Sequence, residues 1–316
     1  MTDTLVFFRA CEADAQAREL ESALAGLCRA AGLDVVFTPH LYHVPEGSGL
    51  WEELRRLPGP RAFATWLHPR PAEALLRFHD VWREGDLAFH LTPQGKPEAL
   101  WGELRRAMDR PASNGEKPGL APAGSVRALD FPSEERWYPV VDLSRCKHCG
   151  SCAQFCLFGV YALEDGGKVR VASPDRCKSG CPACSRICPE GAIMFPLYVK
   201  DPAIAGAPGL FMKPDAAARR MYYLRTGLPC PACGAAGKDA PQGRGPVCQE
   251  CGRSAAAGRL RPAGRESQGR QGPSAEPEHP AGNEPPTGEQ VPAGAEPGDD
   301  LDALIDGLEK VMRRSH

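Results

Sequence analysis

Two cysteine runs dominate the chemistry open to this 316-residue chain: Cys146-x2-Cys149-x2-Cys152-x3-Cys156, and Cys177-x3-Cys181-x2-Cys184-x3-Cys188 followed by Pro189. They take eight of its fourteen cysteines. Thiolates are soft ligands, and they select iron–sulfide clusters, zinc or copper(I) over hard cations. Runs of four at these intervals suit a cubane of iron and sulfide, whose chemistry is the movement of electrons. A second constellation follows: Cys230-x2-Cys233 and Cys248-x2-Cys251, fourteen residues apart, each pair followed by glycine. Two such knuckles can enclose one tetrahedral ion and leave no position open for substrate. The glycines let the chain turn back toward the sulfurs.

A third group is looser. Cys11, His40, His43, His68 and His90 fall at or just past the carboxyl ends of four short apolar segments, with Arg9, Arg70 and Lys96 in the same loops. In open parallel sheets that edge is where ligands bind. Histidine with cysteine can hold a metal, and the cations can hold a phosphate or carboxylate. Against this, the histidines share no tight spacing, and loop histidines are commonly just solvated. Both readings stay open. Cys28 lies on an apolar helical face and reads as an inert core thiol, and His148, inside the first run, as a solvated loop residue.

Laid over one another, the runs begin Arg145-Cys-Lys and Arg176-Cys-Lys and close Phe155-Cys-Leu and Ile187-Cys-Pro. On these motifs, residues about 137–198 resemble a bacterial-type ferredoxin domain with two [4Fe–4S] clusters. The resemblance implies crosswise ligands: Cys146, Cys149, Cys152 and Cys188 for one cluster, and Cys177, Cys181, Cys184 and Cys156 for the other. Leu157 stands where that family has proline, and the Cys177–Cys181 gap carries one extra residue. Neither departure removes a ligand, but the longer gap alters the hydrogen bonds open to the second cluster. The knuckle pair resembles a zinc ribbon and implies Zn²⁺. Rubredoxin-type iron is the alternative, and its expected aromatic residues are missing here.

Other uses of the runs fit less well. Radical S-adenosylmethionine enzymes share Cys-x3-Cys-x2-Cys, but Ala183 stands where they have an aromatic, and no barrel-forming stretch follows. Structural zinc pairs knuckles rather than runs of four. Disulfides need an oxidising compartment. Leu5–Phe8 is too short for a signal-peptide core, so a reducing cytoplasm is expected.

The elements that must position these groups are legible in part. Leu5–Phe8, Val35–Thr38, Ala62–Leu67 and Leu87–Leu91 read as buried strands, alternating with helical stretches near 13–31, 49–57, 71–82 and 97–109. That alternation predicts an α/β domain with a small parallel sheet over residues 1–110. Residues 111–136 read as a linker. Residues 137–200 form the α+β ferredoxin-like unit, with a hairpin of Tyr161–Leu163 and Lys168–Val171 about Asp165-Gly166-Gly167, and flanking strands at Val140–Leu143 and Ile193–Val199. Residues 201–227 are a connector, looped over Asp201–Met212 and then helical from an Asp215 cap to about Leu224. Residues 228–255 hold the knuckles.

The segment 256–298 is rich in Pro, Gly, Glu and Ala and is expected to be disordered. Over 299–316, Leu301, Leu304, Ile305, Leu308, Val311 and Met312 form one helical stripe. A tether of about 40 residues, with a span near 35 Å, makes this helix a candidate dock for a redox partner protein or for a second copy of the chain. Packing back on its own domains is the other possibility.

A net charge of −2 attracts neither nucleic acid nor an acidic membrane as a whole. Arginines and lysines around the knuckles lack the interleaved aromatics of a nucleic-acid surface. No apolar stretch approaches the roughly 20 residues of a membrane span. The expected function is electron transfer between partners, with no catalytic acid, base or nucleophile required. Two alternatives remain: a reductase whose amino-terminal pocket binds the species the clusters reduce, and a redox-sensing regulator.

Overall fold

The computed structural model describes residues 4–11, 14–108, 124–234, 248, 251 and 252. The expected disordered segment 256–298 and the helix 299–316 lie outside them. Four apolar segments form strands: β1 (Thr4–Phe8), β2 (Asp34–Thr38), β3 (Arg61–Thr65) and β4 (Leu87–His90). Helices α1 (Ala15–Ala30), α2 (Leu50–Arg56), α3 (Pro69–Phe78) and α4 (Pro97–Met108) alternate with them. Asp14 caps α1 by accepting a hydrogen bond from the Ala17 N–H at 2.9 Å, which satisfies one orphan donor of the first turn.

A fifth strand, β5 (Val126–Ala128), extends the sheet beside β2. It lies inside the stretch read as a linker, and corrects that reading. The order is β4-β3-β1-β2-β5, and every pairing is parallel.

Period-2 alternation sorts β1 between two cores. Leu5 and Phe7 pack with Leu20, Leu24 and Cys28 of α1 and Leu100 and Leu104 of α4. Val6 and Phe8 pack on the opposite face with Leu50, Trp51 and Leu54 of α2 and Leu75 and Leu76 of α3. The sheet is therefore covered on both faces, as parallel sheets require. Cys28 is fully buried. Arg61 is also fully enclosed, its guanidinium donating to Leu54 O at 2.6 Å, Val81 O at 2.5 Å and the Asp86 carboxylate at 2.6 Å.

The second unit comprises β6 (Val140–Val141), α5 (Ser151–Phe155), β7 (Tyr161–Leu163), β8 (Val169–Val171), α6 (Ala183–Ile187) and β9 (Ile193–Met194). β6 pairs antiparallel with β9, and β7 with β8. The flanking strands are shorter than expected. The chain then forms α7 (Pro202–Ala205), inside the segment expected to be a loop, and α8 (Ala216–Thr226), capped by Asp215 as expected.

The two units share one core. Tyr138, Val140 and Met194 are buried in the same cluster as α2 and α3. The Tyr42 and Tyr138 rings stack at 4.3 Å, the Tyr138 N–H donates to Tyr42 Oη at 2.6 Å, and Tyr138 Oη donates to Tyr42 O at 3.0 Å. Arg70 donates to Asp142 at 2.8 Å and to Gly191 O at 2.5 Å. Gly206, at φ +85°, sits where an added Cβ would lie 2.7 Å from Met194 Sδ and 2.9 Å from Pro71 Cδ. Only glycine allows that approach.

Candidate metal centres

None of the fourteen cysteines is joined in a disulfide. The first run leaves β6 through a turn in which the Cys146 N–H donates to Asp142 O, passes through left-handed His148 and Gly150, and enters α5. His148 is not a merely solvated loop residue. It is half-buried, accepts the Val169 N–H on Nδ1 at 3.1 Å, and lies 3.8 Å from Cys146 Sγ.

Cys146, Cys149, Cys152 and Cys188 line one small cavity between α5 and β9. Burial, followed by the charges of Cys188, Cys149 and Cys146, pushes the Cys152 thiol up to about 12. Cys146 is raised foremost by burial, with Cys188 and Cys149 adding to it. The other four form a second neighbourhood. Burial, then Cys181 and Cys156, push Cys177 up to about 12. Burial also raises Cys181, with Cys156 contributing, and raises Cys184, with Cys177, Cys181 and Cys152 adding to it. Cys184 thus also feels Cys152, so the two sets abut. Crowded buried thiols of this kind ionise only against a compensating cationic centre. Both sets have the donor chemistry of an iron–sulfur site.

Among the described residues, only two groups of three or more ligand atoms lie within 4.8 Å of one another, and neither belongs to the runs. The run cysteines are therefore spaced more widely than a single ion needs. Donors reach the sulfurs directly: the His148 N–H on Cys146 Sγ at 3.4 Å, the Ala192 N–H on Cys188 Sγ at 3.4 Å, and Tyr161 Oη on Cys184 Sγ at 3.1 Å. Trp137 Nε1 donates to Cys181 O at 3.3 Å. Sequence reasoning placed Tyr161 in a hairpin strand and did not single out Trp137. Their nearness to the runs was the available signal.

The knuckle cysteines do converge on a single-ion volume. Cys230, Cys233, Cys248 and Cys251 are all buried, and Cys233 and Cys251 Sγ are 3.6 Å apart. A tetrahedron with metal–sulfur bonds near 2.3 Å has an edge of about 3.8 Å. Left-handed Gly234 and Gly252 close the two turns, each donating its N–H to the first cysteine's carbonyl at 2.7 Å. The group packs against Tyr223 of α8. That helix in turn bonds to α5 through Tyr222 Oη on Gln154 at 2.7 Å and Arg225 Nε on Phe155 O at 2.7 Å.

The strand-end residues separate into two places. Cys11, His40 and His43, beyond β1 and β2, form the second close group. His68 and His90, beyond β3 and β4, pair with ring centroids 4.6 Å apart and do not join it. Burial lowers the pKa of all four histidines, His40 to about 3. The cations are not gathered to hold an anion. Arg70 clamps the two units, Arg9 lies over the Phe37 ring at 4.8 Å, and Lys96 is exposed.

Comparison with known proteins gives one informative likeness. A 61-residue stretch is 51% identical to an uncharacterized ferredoxin of Methanocaldococcus jannaschii, covering 19% of this chain and 41% of that protein. The likeness thus spans about two fifths of the relative's length. No family model matches, and no solved structure matches. Together with the cysteine groups, the likeness supports a ferredoxin-like iron–sulfur domain and metal binding. No helix among the described residues is long and apolar enough to cross a membrane.

Proposed function

We propose that this protein is an iron–sulfur electron carrier of ferredoxin type holding two [4Fe–4S] clusters. Cys146, Cys149, Cys152 and Cys188 hold one, and Cys177, Cys181, Cys184 and Cys156 the other. What supports the proposal is that Cys188 lines one cavity with Cys146, Cys149 and Cys152, while Cys156 lies close enough to Cys177 and Cys181 to perturb both. When bound, such clusters accept and release single electrons. The chain's own residues hold the thiolates, donate hydrogen bonds to their sulfurs and keep water away with Phe195, Ile193 and Val169. The closed Cys230/Cys233/Cys248/Cys251 group takes Zn²⁺ and braces α8 against α5.

Crosswise ligation is tested by paired substitutions scored by iron content. Cys146→Ala/Cys188→Ala removes two ligands of one cluster and should leave about four iron, whereas Cys177→Ala/Cys188→Ala strikes both clusters and should leave almost none. The reverse ranking would show that each run serves one cluster alone.

A reductase reading is favoured by one feature. A cleft of about 730 Å³ has Cys11 and His43 of the α/β domain in one wall and Cys177 and Ser179 in the other. A species bound there lies beside the second cysteine set. The partner is a redox protein, and the segment 299–316, expected to be helical, is the one we assign to its docking.

A further inference from the structure

We propose that Cys11, His40 and His43 form an additional metal site, for a borderline-soft divalent ion such as zinc, with its remaining coordination position open to the cleft. The site does not depend on the clusters: its ligands come from the α/β domain alone.

Three observations point to it. The first is spacing. Cys11 Sγ and His43 Nε2 are 3.6 Å apart, and a ring nitrogen of His40 completes a group within 4.8 Å. A tetrahedral ion with bonds near 2.3 Å to sulfur and 2.05 Å to nitrogen separates those two atoms by about 3.6 Å. The second is an orphan. His40 is only 7% exposed, and its Nδ1 is buried with no hydrogen-bond partner. A buried imidazole nitrogen left unsatisfied is costly unless something occupies it. The third is charge. Glu134, Glu135, Arg136 and Asp175 all line the cleft, but the Arg136 guanidinium is spent on Asp175 at 2.7 Å. The two glutamates are left to draw in a cation.

The donor set defines the ion class. One thiolate with two imidazoles suits zinc and its transition-metal neighbours, and excludes magnesium and calcium. Three protein ligands leave a fourth position, the arrangement of sites that bind a water or substrate rather than merely brace the fold. That position faces the cleft whose far wall carries Cys177.

Ligation has a structural consequence. The Arg136 N–H donates to His43 Nδ1 at 3.2 Å, so in the metal-free protein the ring proton sits on Nε2 and faces Cys11. A metal on Nε2 moves that proton to Nδ1, and the Arg136 amide must then turn away. Occupancy therefore shifts the segment leading to Trp137, whose indole reaches Cys181 O.

The test uses full-length protein, purified anaerobically, loaded with excess zinc and desalted. Zinc content should fall by one equivalent per chain from wild type to Cys11→Ser/His40→Ala, with far-UV circular dichroism unchanged. Because His40 is buried, Cys11→Ser alone serves as the gentler variant, and should weaken zinc retention at least tenfold. Zinc X-ray absorption in a Cys230→Ser/Cys233→Ser background should show one sulfur and two imidazole neighbours. Equal zinc in wild type and both Cys11 variants, or sulfur-only zinc in that background, overturns the site. Iron content, read from the same samples, reports separately on the clusters.

Discussion

Replacing Gly206 by alanine tests how the cysteine unit is held on the α/β domain. Two separate penalties apply. At φ +85° any L side chain is strained, by roughly 1–2 kcal/mol. The new Cβ would also stand 2.7 Å from Met194 Sδ and 2.9 Å from Pro71 Cδ, inside any contact real Cβ atoms tolerate. Met194 is fully buried and a proline ring cannot rotate aside, so overpacking adds about 1–3 kcal/mol. The sum is about 2–5 kcal/mol. Gly166→Ala supplies the control, because that glycine has φ +81° and open space around its Cβ. It carries the backbone penalty alone. In urea, with a slope of about 2 kcal/mol per molar, Gly206→Ala should unfold at a midpoint lower than Gly166→Ala by roughly 0.5–1.5 M. Equal midpoints for the two variants would refute the close approach of α7 to α3 and β9.

Two further outcomes are expected. His79, stacked on Trp51 at 3.7 Å, has its pKa lowered to about 4 by burial and then by Arg55. It is neutral in the fold, so its contribution is complete above the ordinary value near 6.5 and fades as pH falls toward 4; between pH 7.5 and 5, wild type should lose about 2 kcal/mol more stability than His79→Gln, and parallel losses would contradict this. Tyr161→Phe removes the hydroxyl on Cys184 Sγ, which is 3.1 Å away. A hydrogen bond favours the more negative, reduced state, so about 1 kcal/mol of difference lowers one of two potentials by roughly 40 mV in anaerobic voltammetry, and an unchanged pair of potentials would speak against the contact.

The amino-terminal sheet was legible where burial writes itself into composition. β1 and β3 are buried at every position, and their apolar runs stand out between helical periods. β5 was not, because all three of its residues are exposed. It is held by main-chain bonds to β2 and by Asp34 accepting from Ser125, none of which leaves an apolar trace. The same limit divides the candidate sites. The cysteine runs and knuckles are local in sequence, so spacing alone located them. Cys11 and His43 are 32 residues apart, and their meeting depends on β1 lying beside β2. His68 and His90 meet because β3 lies beside β4. Strand order, invisible in the sequence, decided which strand-end residues became neighbours.

The most direct test of the central claim is iron and acid-labile sulfide measured on anaerobically purified, reconstituted full-length protein, with electron paramagnetic resonance before and after reduction. Two cubanes require about eight iron and eight sulfide per chain, and paramagnetic signals from two interacting centres on full reduction. Four iron with a single isolated signal, or sulfide-free metal on the run cysteines, would contradict the account.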